Sequence, residues 1–440
     1  MKKESIDMLH GALAGKLILF ALPIALSSML QQLFNAADTA VVGHFADSDA
    51  LAAVGTNGEI VALIVTVSAG LSVGANVLIA RFIGEGARDN IAAMIHTAIT
   101  LAIVLGFGGL FSGLFLSRPV LVAINTPASV LPLATRYLRL YFAGYPFLLL
   151  YDFGSAILRA QGDSRRPFLA LSLSGLLNVL LNLFFVIVCN LGVAGVAIAT
   201  DISTAFSAFL VLLWIGKIRL RLHRKHLRTI LAVGIPAAIQ GAVFCFANIF
   251  VQACVNSFGA IATAGSTIAM NFEYFGYYMI TAFGQTATTF TSQNHAAGLK
   301  MRCRKILLLC ILFSTLFSAL ITVPLTVFRA EASRLFSVDP AVIHASCVRI
   351  MLILILEPIC SFYEVPAGAL RGMGHSTLPA VFTVIGTCLF RIIWIFTVFA
   401  YYNTQESLFL SFPLSWVLTI LLVNISYITL WRKIHATFPL

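Results

Sequence analysis

Long hydrophobic runs separated by short polar turns follow one another along the whole chain. Each run is roughly 20 to 28 residues long, which allows an α-helix to cross a hydrocarbon core about 30 Å thick. Strands of a membrane barrel would need only about half that length. We therefore predict twelve membrane-spanning helices, called spans one to twelve: about 16–43, 51–80, 91–117, 132–158, 168–189, 193–216, 229–257, 262–292, 306–328, 342–367, 379–402 and 408–431.

The composition agrees with an integral membrane protein. Of the 440 residues, 60% are hydrophobic and 10% are charged, and the mean hydropathy is +0.96. Soluble domains carry about 25% charged residues. The predicted fold class is therefore an all-α polytopic membrane protein with the lipid bilayer as its surroundings.

The net charge of +11 is dispersed among short loops rather than gathered on a soluble module, so we predict no nucleic-acid partner. Basic residues are concentrated on the side that holds both termini. The positive-inside rule then places both termini in the cytoplasm and the chain in the plasma membrane. The basic cluster between spans six and seven comprises Lys217, Arg219, Arg221, Arg224, Lys225 and Arg228.

Two similar segments indicate an internal repeat. "YDFGSAILRAQGDSRRP" (151–167) and "YEVPAGALRGMGHSTLP" (363–379) match at an offset of 212. Near the start of each half, Pro23 aligns with Pro236 at an offset of 213. The repeat predicts two pseudo-symmetric six-helix bundles with a central cleft, an arrangement typical of transporters that open to either side.

The repeat also sets the predicted domain boundaries. The N-terminal half covers residues 1–216, a basic cytoplasmic linker covers 217–228, and the C-terminal half covers 229–440. Because each half has an even number of spans, both halves enter the membrane in the same sense.

Polar residues within three spans of the N-terminal half predict a site for H⁺ or Na⁺. Those of span one lie on one helical face, and Asp38 is about 7 Å below the outer surface. The polar groups of spans five and six fall at similar depth, and an inert polar cluster is the alternative. The predicted site comprises Gln31, Asn35, Asp38, Asn178, Asn182, Thr200 and Asp201.

The C-terminal half lacks this cluster, since at these offsets Val251 replaces Asp38 and Phe390 replaces Asn178. Instead, Glu273 lies among aromatic residues of span eight, an environment that suits a flat organic cation unless the rings only pack between helices or face lipid. The predicted substrate cavity comprises Asn248, Glu273, Tyr274 and Tyr277.

Arg391 lies deep in span eleven, where an unpaired guanidinium group would be unfavourable. Glu357 of span ten lies at comparable height, so we predict that the two side chains form a structural ion pair.

No nucleotide-binding, nucleophilic or metal-binding motif occurs in the chain. We therefore predict no cofactor, no catalytic residue and no enzymatic activity. An ion gradient is the remaining source of energy, with H⁺ or Na⁺ as the coupling ion.

Taken together, several motifs resemble the multidrug and toxic compound extrusion (MATE) transporters, in their DinF-type bacterial branch. They include "PIALSSMLQQLFNAADTAVVG" in span one, "LRAQGDSRRP" before span five and "QTATTFTSQNHAAG" at the end of span eight. The resemblance covers essentially the whole chain. It implies export of organic cations or other amphipathic compounds in exchange for H⁺ or Na⁺.

The resemblance also implies roles for single residues. Asp38 matches the acid of span one, Asn178 and Thr200 match polar residues of the same pocket, and Glu273 falls where many relatives carry an acid. One departure is Asn182, which stands where the DinF-type pattern has aspartate. Either Asp38 couples alone or Asp201 supplies the missing carboxylate.

The predicted function is therefore secondary active multidrug efflux by a monomer. The alternative is a flippase for lipid-linked oligosaccharides, because related superfamilies share the arrangement of two paired helical bundles. A flippase would need a basic cavity for the diphosphate, whereas the predicted deep charges are mainly acidic.

Overall fold

The computed structural model describes residues 5–45, 48–124 and 126–436, and no strand occurs within those ranges. Eight of the twelve predicted spans correspond to uninterrupted α-helices in this part of the chain. These are Ala14–Phe45, Ser48–Gly84, Arg88–Ala123, Val193–Ile215, Arg224–Asn256, Ala260–Ala296, Lys300–Val327 and Gln405–Ala436.

The other four spans are interrupted. Span four is broken at Gly144, where Pro146 follows in the first turn of the next helix. The helices, π turns and 3₁₀ turn of these spans are Leu131–Ala143 and Tyr145–Ala160; Arg165–Leu183 and Phe184–Val188; Pro340–Arg349, Ile350–Leu354, Glu357–Cys360 and Ser361–Gly372; and Thr377–Thr383, Val384–Leu389, Phe390–Trp394, Ile395–Phe399 and Ala400–Tyr402. A short helix, Arg329–Arg334, precedes span ten.

Ten helical segments of the described residues are long and apolar enough to cross a membrane by length and composition. The two predicted spans outside this set are four and eight. Span four is divided by the break at Gly144, and span eight carries polar residues along Ala260–Ala296, including Glu273. Large apolar side chains on the outside of the spans are exposed, for example Phe115 at 76%. Lipid is the solvent that suits such a surface.

The contacts between Cα atoms divide the chain into two compact units. The first consists of Met1–Asp7 and Leu26–Ala238, and the second of Met8–Ala25 and Ile239–Leu440. The division follows spatial packing and therefore falls inside spans one and seven. The predicted domain boundaries follow the sequence repeat instead, so the two descriptions concern different properties of the chain.

Glycines allow two helices of the first unit to pack backbone to backbone. A Cβ atom added at Gly74 of span two would overlap the carbonyl oxygen of Ile230 in span seven. A Cβ atom at Gly234 would lie 2.6 Å from the carbonyl oxygen of Leu71. Small residues at such crossings are a general device of membrane helices, because close approach increases van der Waals contact.

We expect the substitution Gly74→Val to destabilise the protein by about 1–3 kcal/mol, because the new side chain forces the backbones of two helices apart. The measurement is thermal denaturation of the purified protein in detergent. Gly58→Val in the same helix is the matched control, since a Cβ atom at Gly58 meets nothing within 4 Å. Equal melting temperatures of the two variants would contradict the packing role of Gly74.

Candidate functional site

A chain of hydrogen bonds joins spans one, five and six in the first unit. The side-chain amide of Asn182 donates both to the Asp38 carboxylate and to Oδ1 of Asn178, which is 3.2 Å away. Nδ2 of Asn178 in turn lies 3.4 Å from Oγ1 of Thr200. We call these four residues, Asp38, Asn178, Asn182 and Thr200, the Asp38 cluster.

The cluster is mostly sealed from solvent. Asn182 and Asn178 are buried, whereas Asp38 and Thr200 are half-buried. Oδ1 of Asn182 is buried without a hydrogen-bond partner among the described atoms. The cluster therefore has an acceptor oxygen to spare next to a carboxylate, and both are oxygen ligands of the kind that hard cations prefer.

Within the described part of the chain, Asp38 has no lysine or arginine at ion-pairing distance. Its hydrogen-bond partner is the neutral amide of Asn182. A neutral donor leaves the carboxylate free to take up or release a proton, or to bind a monovalent cation, because no fixed positive charge competes for it.

Three predicted members of the site lie outside the Asp38 cluster, and two of them, Gln31 and Asn35, belong to span one. Asn35 is exposed, and its backbone carbonyl accepts a hydrogen bond from the Thr39 hydroxyl. Gln31 is half-buried, and no hydrogen bond links it to the cluster within the described residues. The shared helical face predicted for span one therefore does not bring Gln31 and Asn35 into the same hydrogen-bond network as Asp38.

Asp201 is half-buried next to Thr200 but does not join the hydrogen-bond chain of the described residues. Its carboxylate packs against the break in span four, since a Cβ atom at Gly144 would overlap its Oδ1 atom. Both Asp201 and Asp38 interact electrostatically with the phenols of Tyr137 and Tyr141. The tyrosines of span four thus lie within electrostatic reach of both carboxylates.

The second unit contains a cavity of about 120 Å³. It includes all the residues of the predicted substrate cavity and both members of the predicted ion pair. The lining residues are Phe244, Asn248, Val251, Gln252, Met270, Glu273, Tyr274, Tyr277, Arg349, Ile353, Glu357, Cys360, Tyr363, Arg391, Phe412 and Trp416. We call this space the C-terminal cavity.

Glu273 does not present a free carboxylate to the C-terminal cavity. Arg349 of span ten binds it through two hydrogen bonds, from Nε to Oε1 at 2.7 Å and from Nη2 to Oε2 at 2.8 Å. The remaining Nη1 group donates to Ser266 at 2.6 Å. The predicted cation site of one carboxylate among aromatic rings is therefore an ion pair with its charge already compensated.

The predicted ion pair between Glu357 and Arg391 is wrong, because the structure does not bring the two side chains within ion-pairing distance. Arg391 donates from Nε to Ser415 at 3.1 Å and lies over the Phe412 ring, 3.9 Å from its centroid. Glu357 is 4% exposed, and its Oε2 atom has no hydrogen-bond partner among the atoms that the structure describes. That atom packs against Gly276 of span eight.

The reason lies in the irregular turns of spans ten and eleven. A π turn, Ile350–Leu354, separates Arg349 from Glu357, and another, Val384–Leu389, precedes Arg391. Each π turn holds more residues than an α-helical turn and rotates the side chains that follow it. Beyond these turns, side chains therefore lie on a different face of the helix from the one that a regular helical period predicts.

Arg349 is a charged residue of the C-terminal cavity that was not predicted from the sequence. It lies within the predicted limits of span ten, and it is 3% exposed. The sequence does carry a signal for this residue, since an arginine inside a hydrophobic run requires a counter-charge at similar depth. Glu273 in span eight was such a charge.

Comparison with known proteins gives two matches to one family model. The MatE model matches residues 23–184 and again residues 236–397. The two matches begin and end 213 residues apart, which agrees with the offset of the internal repeat.

Curated relatives resemble the chain over most of its length. A probable multidrug resistance protein of Bacillus subtilis, YoeA, is 23% identical over 95% of this chain and 94% of its own. A probable multidrug resistance protein of Thermotoga maritima, NorM, is 29% identical over 88% of this chain and 86% of its own. A crystal structure of a MATE protein in complex with MaL6 superposes with a TM-score of 0.92 at 20% identity, covering 98% of this chain and 99% of the other.

We expect Glu273→Gln and Arg349→Met to destabilise the protein by about 3–5 kcal/mol each, because either change leaves a buried charge without its partner. The double variant should regain most of that stability. Chemical denaturation of the purified protein, followed by fluorescence, measures all three.

The exposed pair Arg81 and Glu85 is the control, with side chains that are 59% and 33% accessible. Arg81→Met should change the stability by less than about 1 kcal/mol. Additive losses at Glu273 and Arg349 would contradict the ion pair.

Proposed function

This chain belongs to the MatE family, and from that premise we propose that it is a secondary active efflux antiporter for organic cations or other amphipathic compounds. It works from the plasma membrane as a monomer, with both termini in the cytoplasm. The exchange is driven by inward movement of H⁺ or Na⁺.

The observation that supports the proposal most is the environment of Asp38. A carboxylate within a membrane span is unfavourable unless it has a function or a compensating partner. Here the partner is the neutral amide of Asn182, in a cluster contributed by three helices. Such a carboxylate can exist in two charge states without breaking an ion pair.

The coupling follows from the two charge states. When Asp38 is charged, it attracts a cation and accepts the hydrogen bond from Asn182. When Asp38 takes up H⁺ or binds Na⁺, this attraction is lost and the preferred packing of spans one, five and six changes. The movement of one charge through the membrane potential supplies about 2.3 kcal/mol per 100 mV. That energy allows accumulation against a gradient.

The role of the second carboxylate falls to Asp201 in this proposal. Asp201 has no hydrogen-bond partner among the described residues and interacts with the same two phenols as Asp38. Span six thus supplies the carboxylate that is absent at Asn182, from a residue next to Thr200 that makes no hydrogen bond to the cluster within the described residues.

Efflux is a better explanation of the family match than lipid-linked oligosaccharide transport. The two curated relatives described above are named for multidrug resistance, and this chain matches 94% and 86% of their lengths. Measurements of resistance to ethidium-like cations and of lipid-linked sugar turnover, in the same cells, separate the two functions.

We expect Asp38→Asn to abolish drug efflux while the protein remains folded in the membrane, because asparagine can neither take up a proton nor neutralise a cation. Efflux of a fluorescent cation from cells that express each variant is the measurement. Glu406→Gln, which changes an exposed carboxylate in the first turn of span twelve, is the control. Wild-type resistance in cells expressing Asp38→Asn would refute the role of Asp38.

The coupling ion is identified by proton release from the purified protein when substrate is added. An H⁺-coupled protein should release protons in weakly buffered solution, and Asp38→Asn should release fewer. A Na⁺-coupled protein should instead show substrate affinity that depends on sodium. If Asp201→Asn leaves both signals unchanged, Asp38 couples alone.

A further inference from the structure

We propose that the C-terminal cavity binds the carboxylate or phosphate group of an aromatic amphipathic compound, with Arg391 as its partner. This inference rests on the proposed export of amphipathic compounds and names the chemical class that one site prefers. It differs from the expected cation site, because the charged group of the cavity that remains available for hydrogen bonding is the Arg391 guanidinium group.

Among the residues that the structure describes, Arg391 is a buried cation without an anionic partner. It is 2% exposed, and no carboxylate of the described residues lies at ion-pairing distance from it. Nε donates to Ser415, whereas no hydrogen bond from the two terminal nitrogens is found within the described residues. The guanidinium group lines the C-terminal cavity. A carboxylate or phosphate in this cavity can accept two parallel hydrogen bonds from a guanidinium group.

The two carboxylates of the cavity do not neutralise Arg391. Glu273 is engaged by Arg349 through two hydrogen bonds. The charged groups that interact with Glu357 are Glu273 and Arg349, and its unpartnered oxygen packs against Gly276. A cationic ligand in the cavity would therefore meet the Glu273 carboxylate already bound by Arg349, the Glu357 carboxylate packed against Gly276, and the guanidinium group of Arg391.

The neighbours of Arg391 favour an aromatic ligand. The Phe412 ring lies beneath the guanidinium group, at 3.9 Å from its centroid, and the Phe244 ring lies at 5.9 Å. Tyr277 and Trp416 line the same space. Aromatic rings hold the guanidinium group in place and leave its hydrogen-bonding edge for the ligand. Flat aromatic groups can then stack on the remaining rings.

The experiment uses three probes that share one ring system and differ in charge: naphthalene-2-carboxylate, naphthalene-2-carboxamide and 2-naphthylmethylammonium. Calorimetric titration of the full-length protein in uncharged maltoside micelles avoids competing lipid phosphates. We expect the carboxylate to bind about 10- to 100-fold more tightly than the amide, since a charge-assisted hydrogen bond replaces a neutral one. The ammonium probe should bind most weakly.

Two variants at one position test the assignment. Arg391→Met should bind all three probes with similar affinity, while Arg391→Lys should keep part of the preference for the anion. Arg391 has no ion-pair partner among the described residues, so Arg391→Met leaves no buried counter-charge behind and should not melt at a lower temperature than the wild type. A purely structural arginine would not change the order of affinities among the probes.

Equal affinity of the wild type for the three probes, or a preference for the ammonium probe, would overturn the inference. Retention of the carboxylate preference in Arg391→Met would do so as well. If added phosphatidylglycerol displaces the carboxylate at low molar fraction, the anion is a lipid headgroup rather than an aromatic compound. Binding is measured without transport, so loss of efflux in other assays leaves this result unaffected, and the converse also holds.

Discussion

The structure depends most on how charged side chains are stabilised inside the membrane. A charged side chain within a hydrocarbon layer must be paired, hydrogen-bonded or accessible to water, because the lipid offers it no solvation. The two units satisfy this requirement differently. In the first, Asp38 has a neutral amide as its partner and keeps both charge states accessible. In the second, Glu273 and Arg349 compensate each other and leave Arg391 against aromatic rings. The proposed difference between a cation-exchanging site in the first unit and an anion-binding site in the second follows from these partners.

Much of the fold could be predicted from the sequence. Run length and spacing predicted twelve helical spans, and each has a helical counterpart among the described residues, because a membrane helix must satisfy its own backbone hydrogen bonds over a fixed thickness. The spacing of Asn178 and Asn182 also predicted their shared face, and these residues are linked to each other, to Asp38 and to Thr200.

Tertiary partners were harder to predict. Depth alone suggested that Glu357 would pair with Arg391, but depth does not determine rotation around the helix axis. Span ten contains a π turn and a 3₁₀ turn, and span eleven contains two π turns. The hydrophobic periodicity of the sequence does not reveal these irregular turns. The positions of Gln31 and Asn35 show a related limit, since residues on one face can be separated by a helix's own tilt and by the neighbours it meets.

The π turn Val384–Leu389 bears on how closely the two halves can be aligned. The repeated segments ending at Pro167 and Pro379 are 212 residues apart, whereas the two family matches begin and end 213 residues apart. A π turn holds more residues than an α-helical turn. A duplicated helix that contains one can therefore accept a shift of one residue in register and still cross the same thickness of membrane. At an offset of 213, the residue aligned with Asn178 is Arg391 rather than Phe390.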